Sequence, residues 1–191
     1  MYNKDYITAI AYIILLRLLD LGLTFIHTPK LRYEWNPIVS VFGYEWIGML
    51  LTQILVISLI VAIMSFYFFK KPLINLPDDL SFRDYIYFYF HNQKRTTEKK
   101  WLKYNHVTRN RILAYNGFIL MTMAISISYL AIINNLMVIY TVKSYSRFIG
   151  QYGNLFYLSI LIVMAISSFL LFFVLEYRSY RKSLVLISIN N

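Results

Sequence analysis

The sequence predicts an all-α integral-membrane protein: a four-helix bundle with an amphipathic and basic cytoplasmic loop between its second and third spans. Three observations carry this expectation. Of the 191 residues, 59% are hydrophobic and 15% charged, with a mean hydropathy of +0.53, against about 45–50% apolar and roughly 25% charged in ordinary soluble domains. Four apolar stretches can each cross a hydrocarbon layer about 30 Å thick, which takes roughly 20 helical residues. Ten of the nineteen Lys and Arg residues fall in one connector, from Lys70 to Arg111, the asymmetry that marks a cytoplasmic loop. A chain this apolar leaves too little polar surface to cover a soluble domain, which sets a soluble enzyme aside.

The whole chain, 1–191, reads as a single membrane domain. The first span runs from about 7 to 26 and carries Arg17 and Asp20. It is too long for the apolar core of a signal peptide and lacks a small-x-small cleavage site, so no cleaved signal peptide is expected. The second span is about 46–69, the third about 112–140 and the fourth about 155–175. Backbone groups in lipid must be satisfied internally, so these segments are helices, and the many short alternating strands that a closed barrel needs are absent. The flanking connectors hold two cations each, Lys30 with Arg32 and Lys143 with Arg147. With the 70–111 loop cytoplasmic, both termini are expected on that side.

Within the loop, Asp78 and Asp79 are placed to cap a short helix that starts near Ser81 or Phe82. The run at 84–90, DYIYFYF, is too short to span and too aromatic for water, so it is expected along the membrane interface. The stretch that follows, with Lys94, Arg95, Lys99, Lys100, Lys103, Arg109 and Arg111, reads as a basic helix that leads into the third span and meets anionic lipid headgroups. The net charge of +10 fits that lipid role, and nucleic acid is not expected as a partner. Ala124, Ser126, Ser128 and Ala131 in the third span, with Ala165, Ser167 and Ser168 in the fourth, are small residues of the kind that let membrane helices approach closely.

Polar groups at membrane depth are costly, so they mark the candidate site. Arg17, Asp20, Thr24 and His27 step by three, four and three residues and form one stripe on the first helix. Two readings of the stripe stay open: an internal Arg17–Asp20 pair, or the lining of an ion, proton or headgroup pathway. In the link that follows, Glu34, Asn36 and Pro37 form a turn or helix start at which Glu34 and Asn36 can accept backbone N–H groups. The second span adds Gln53. The third adds Asn116 and Asn134, eighteen residues or five turns apart and so on one face, with Asn135 beside the latter. Such amides serve more often to join helices than to bind substrates.

The chain has no cysteine, which excludes disulfides, thiolate nucleophiles and Cys-held metals. His27, His91 and His106 fall at helix ends or in the loop, and the sequence has no HExxH motif, Gly-rich phosphate loop or GxSxG elbow. No metal site and no cofactor are expected.

The pattern Asp20-x-x-x-Thr24, followed by Glu34-x-Asn36-Pro37 and an apolar helix with a polar residue at Gln53, resembles an uncharacterised prokaryotic family of small polytopic membrane proteins with a D-x(3)-T…E-x-N-P signature. The likeness covers residues 15–60; Gln53 stands where that pattern has Lys, and the long basic loop is an addition. It implies a helical bundle and no particular reaction. The leading functional expectation is a non-enzymatic accessory or assembly subunit of a larger membrane complex, partnered by other membrane subunits or by copies of itself. The alternatives are a channel or transporter component that uses the first helix's stripe, and a lipid-modifying enzyme around Asp20, Glu34 and Asn36.

Overall fold

A computed structural model describes residues 4–31, 46–69, 80–91, 106–140 and 143–190. Five helices make up these residues: α1 (Lys4–His27), α2 (Trp46–Phe69), α3 (Phe82–His91), α4 (His106–Ile139) and α5 (Lys143–Asn190). Among the described residues there is no strand. Four segments are long and apolar enough to cross a membrane, Lys4–Ile26, Trp46–Phe69, Thr108–Ile139 and Leu155–Val185, and they make the chain an integral-membrane helical bundle.

The boundaries of α2 coincide with the expected span. The other long helices overrun theirs, because a span read from hydropathy ends at the first polar residues whereas a helix continues until a residue stops it. Thus the segment expected at 155–175 is the middle of a 48-residue helix, Lys143–Asn190. No proline falls within it, and Gly150 and Gly153 are tolerated. At 1.5 Å per residue α5 is about 72 Å long, well over twice the hydrocarbon thickness.

Helix α4 packs against every other described helix. It approaches α2 closely at Gly117, where an added Cβ would lie 2.6 Å from the Ile63 carbonyl oxygen and 3.0 Å from Met64 Cα. Backbones can meet this closely only without a side chain between them. Around the contact, Ile13 of α1, Ile60 and Met64 of α2 and Ala124 of α4 form one buried apolar cluster. Helices α1 and α2 run antiparallel: the Tyr6 ring meets Phe68 and Phe69 at 5.5 and 4.8 Å at one end, and Phe25 meets Trp46 at 5.4 Å at the other. Outward side chains such as Leu18, Ile26, Leu55 and Val163 are exposed, as expected of surfaces solvated by lipid tails.

At the end of α1, the Thr28 N–H and hydroxyl both donate to the Thr24 carbonyl, and Leu31 N donates to Thr28 O. Pro29 stops the helix. Leu31 is a buried non-glycine residue in the left-handed region, at φ 51°, and the indole of Trp46 ties the turn to α2 by donating to Pro29 O at 2.8 Å.

The short helix in the loop is present as α3, and its cap is Ser81. The Asp84 N–H donates to Ser81 Oγ at 3.2 Å, the bond of an N-cap serine, and the Ser81 hydroxyl donates to Asp84 Oδ2 at 2.6 Å. Asp78 and Asp79 lie outside the described residues. Of the aromatic run expected along the membrane interface, Tyr85, Phe88 and Tyr89 are buried in a cluster with Leu80, Phe118, Phe172, Phe173 and Tyr180. Edge contacts near 5.5 Å join Tyr89 to Phe172 and Phe173. Helix α3 thus docks across the start of α4 and the later turns of α5.

The α2–α4 approach yields a direct test. Gly117→Ala should lower stability by about 1–3 kcal/mol, the range for overpacking a filled site, and Gly22→Ala, where an added Cβ meets nothing within 4 Å, should not. Thermal unfolding of the two variants in detergent separates them, and equal melting temperatures would refute the close contact.

Candidate functional site

The polar stripe of α1 faces α4. Arg17 Nη1 lies 3.6 Å from Asp20 Oδ2 on the same helix, both side chains largely shielded. Across the interface, Asn135 Nδ2 donates to Asp20 Oδ1 and to Thr24 Oγ1, both at 3.1 Å, so one amide nitrogen directs its two N–H groups at two acceptors a helical turn apart. The Tyr12 and Tyr129 hydroxyls hydrogen-bond to each other nearer the middle of the same interface. The pair of Arg17 with Asp20 anticipated from spacing is therefore present, and it is extended to a second helix.

Asn135, and not Asn134, completes this set. The next residue along a helix points about 100° away, and Asn134 turns to α5, where its Oδ1 accepts hydrogen bonds from the hydroxyls of Tyr145 at 2.6 Å and Tyr157 at 2.7 Å. Asn116 is exposed and Gln53 is half-buried on α2. Neighbouring Thr52 bonds back to Gly48 O at 2.7 Å. Glu34, Asn36 and Pro37, the His27 side chain, and Lys94, Arg95, Lys99, Lys100 and Lys103 lie outside the described residues.

A second polar region holds α3. Arg111, expected as one cation of the basic stretch, is 2% exposed. Its Nη1 donates to the carbonyls of Phe88 at 3.2 Å and Tyr89 at 3.3 Å, two of the oxygens that the last turn of a helix leaves without partners. A cation there also suits the negative end of the helix dipole. The guanidinium carbon stands 5.6 Å from the Phe88 ring centre, and the Tyr89 hydroxyl donates back to Arg111 O at 3.0 Å. The buried Nε has no hydrogen-bond partner among the described residues. Neighbouring Arg109 is exposed, as a solvated cation should be.

At the other end of α3, two tyrosines of α5 hold the Leu80 backbone. Its N–H donates to Tyr180 Oη at 2.9 Å, and its carbonyl accepts from the Tyr177 hydroxyl at 3.1 Å. One turn away on α5, Glu176 is 4% exposed. Burial pushes the Tyr85 and Tyr89 hydroxyls above the usual phenol range, and the Glu176 carboxylate pushes them further. Both phenols stay protonated at any physiological pH and remain hydrogen-bond donors.

Sequence reading missed Glu176 because the fourth span was ended at Leu175. The available signal was its isolation: it is the only acidic residue after Glu98, set between an apolar run and the cations Arg178, Arg181 and Lys182. The tyrosines had no such signal, since the chain has 18 of them. Among the described residues, no group of three His, Cys, Asp or Glu side chains is placed to hold a metal ion.

The fold and these contacts define a helical integral-membrane protein held by interhelical polar locks. No protein-family model, curated protein or solved structure matches the chain.

The locks predict distinct defects. In a double-mutant cycle with Asp20→Ala and Asn135→Ala, the coupling should be about 0.6–1.7 kcal/mol, the range for hydrogen bonds between membrane helices; a value near zero would remove the bond. Arg111→Met should loosen α3 selectively, since it removes two charge-assisted bonds worth roughly 1.5–3 kcal/mol each. Hydrogen exchange should then rise across residues 80–91 and not across α2, whereas a uniform rise would contradict a local clamp.

Proposed function

We propose that this protein is a non-enzymatic accessory subunit of a membrane assembly, with both termini and α3 on the cytoplasmic side. The observation that carries the proposal is the amide of Asn135, which closes the Arg17, Asp20 and Thr24 stripe against α4. Groups that a transport pathway or an active site would leave free for a substrate instead join helices of the chain itself. Asn134 and Arg111 follow the same pattern, each bonded to another helix. Lipid-exposed faces on α1, α2 and α5 are broad and apolar, the kind of surface through which membrane subunits associate by close packing. The cytoplasmic orientation rests on the ten cations between Lys70 and Arg111. The proposal includes membership of the family with the D-x(3)-T…E-x-N-P signature.

Thiols introduced into this naturally Cys-free chain test the reading. Cysteines at Lys30 and Lys143 should react with a membrane-impermeant maleimide from outside intact cells, and one at Arg83 only after permeabilisation; the reverse pattern would invert the orientation. Purified chain in liposomes should carry no proton or potassium flux above that of bare lipid. A symmetric ring with flux that is lost in Asp20→Asn would replace the accessory reading with a channel.

A further inference from the structure

The Asn135 amide reaches Asp20 and Thr24 of the α1 stripe and not Arg17. A guanidinium carries five N–H donors. Among the described residues, that of Arg17 has its ion contact with Asp20 at 3.6 Å and no hydrogen bond, and 15% of its side chain stays exposed. Depth makes this costly. Arg17 lies nine residues, about 13.5 Å of helix rise, from the Ile26 end of its span and thirteen residues, about 19.5 Å, from the Lys4 end. Helical side chains lean toward the helix N-terminus, here away from the nearer surface, so the donors stay at a depth where lipid offers no acceptor.

A second polar residue stands at the same depth on α2. Helices α1 and α2 are antiparallel, with Tyr6 on Phe68, Ile13 in one cluster with Ile60, and Phe25 on Trp46. Gln53 thus comes level with Asp20, one turn from Arg17. It is half-buried, one turn from buried Met49 and two from buried Ile60, and has no hydrogen bond among the described residues. On each helix the residues three before and one after the polar one, Ile14 and Leu18 on α1 and Leu50 and Ile54 on α2, are exposed. Arg17 and Gln53 therefore both sit where the interior of the bundle meets the lipid-facing edge of the groove between α1 and α2. Phe25 and Trp46, whose indole bonds to Pro29 O, shut one end of that groove. Ile13, Ile60 and Met64 fill the other. A group that meets the Arg17 donors must arrive sideways, in the plane of the membrane.

We propose that a transmembrane helix of a partner subunit lies along this groove and presents an Asn or Gln side chain at the depth of Arg17. Its amide oxygen accepts from the guanidinium, and Gln53 offers a second amide to the same helix. The inference rests on the accessory-subunit reading and names a contact that this role uses. Lipid phosphates lie at the membrane surfaces, too far from Arg17, and the closed ends bar a soluble anion. Arg17 and Asp20 together carry no net charge, so a carboxylate from the partner would leave surplus negative charge in hydrocarbon. An amide supplies the acceptor without charge, and amides join membrane helices in this way. A two-fold contact of this groove with a second copy of itself would set the two Arg17 charges against each other.

The experiment uses the full chain in its native membranes, with the photoreactive residue p-benzoylphenylalanine in place of Leu18 or Leu50. Val163, on an exposed face of α5, is the control position. Irradiation at Leu18 and Leu50 should yield an adduct to one other membrane protein, with the attachment in a transmembrane segment that has an Asn or Gln near its middle. Gln53→Leu removes no hydrogen bond within the described residues, so the melting temperature of the purified chain should not change. Adduct yield should nevertheless fall by about three- to twentyfold, the span for one hydrogen bond between membrane helices. R17L/D20L, which removes the ion pair as a unit, should lower the yield at least as far. Attachment to lipid alone, to a second copy of this chain, or to a segment without an amide side chain would overturn the proposal, as would an unchanged yield in folded Q53L. An adduct to a foreign subunit from Val163 and none from Leu18 or Leu50 would overturn the groove as the docking site and leave the accessory role in place. A chain that forms no adduct and conducts ions alone in liposomes would overturn both.

Discussion

A polar side chain carried into a hydrocarbon layer must find its partner within the protein, and here α4 supplies those partners. It offers a different group to each neighbour: Asn135 to α1, Asn134 to α5, the guanidinium of Arg111 to α3, and the bare backbone at Gly117 to α2. Lipid tails are as apolar as leucine, so burial of leucine gives these helices no strong reason to associate. Shape at Gly117 and hydrogen bonds elsewhere decide which faces meet. The register of the bundle follows from where those few residues fall along one helix.

The contacts differ in kind at the two ends of the bundle. At the end where α1 leaves the membrane, the bonds are amide and hydroxyl contacts between spans, built around a single carboxylate and its neighbouring arginine. At the α3 end, the core is aromatic, with Tyr89, Phe172 and Phe173 packed edge to face, and polar groups act at its rim. This division has a physical basis. Rings supply a large contact area at low entropic cost and pack well without water, whereas Tyr hydroxyls can satisfy backbone groups where a helix begins or ends. Helix α3 has ten residues, too few to be stable alone, and it depends on both kinds of contact.

Arg111 illustrates how context reassigns a charge. In the sequence it is the last of a run of cations, and Arg109, two positions earlier, is exposed as such a residue should be. Two positions on a helix are about 200° apart, so Arg111 points inward as Arg109 points out. Its charge is then dispersed over two carbonyls, an aromatic face and the end of a helix dipole. The buried Glu176 acts on the same tyrosines as Arg111 does, in the opposite direction.

The sequence by itself determined the helical membrane class, the position of all four spans and the existence of α3, because hydropathy and length are local properties that lipid enforces on each segment separately. It also offered the Arg17–Asp20 pair as one of two readings of the stripe, since three residues on a helix bring side chains together whatever surrounds them. Helix ends were less legible: α5 continues far beyond its apolar part because nothing in its flanks breaks it. Tertiary structure alone decided which of two adjacent amides, Asn134 or Asn135, meets Asp20, that Glu176 is buried, and that Tyr85, Phe88 and Tyr89 of the aromatic run pack into a core with α4 and α5. Each of those outcomes depends on which face of one helix is turned toward another, and helix rotation is set by contacts between residues about a hundred positions apart, such as Asp20 with Asn135 and Leu80 with Tyr180.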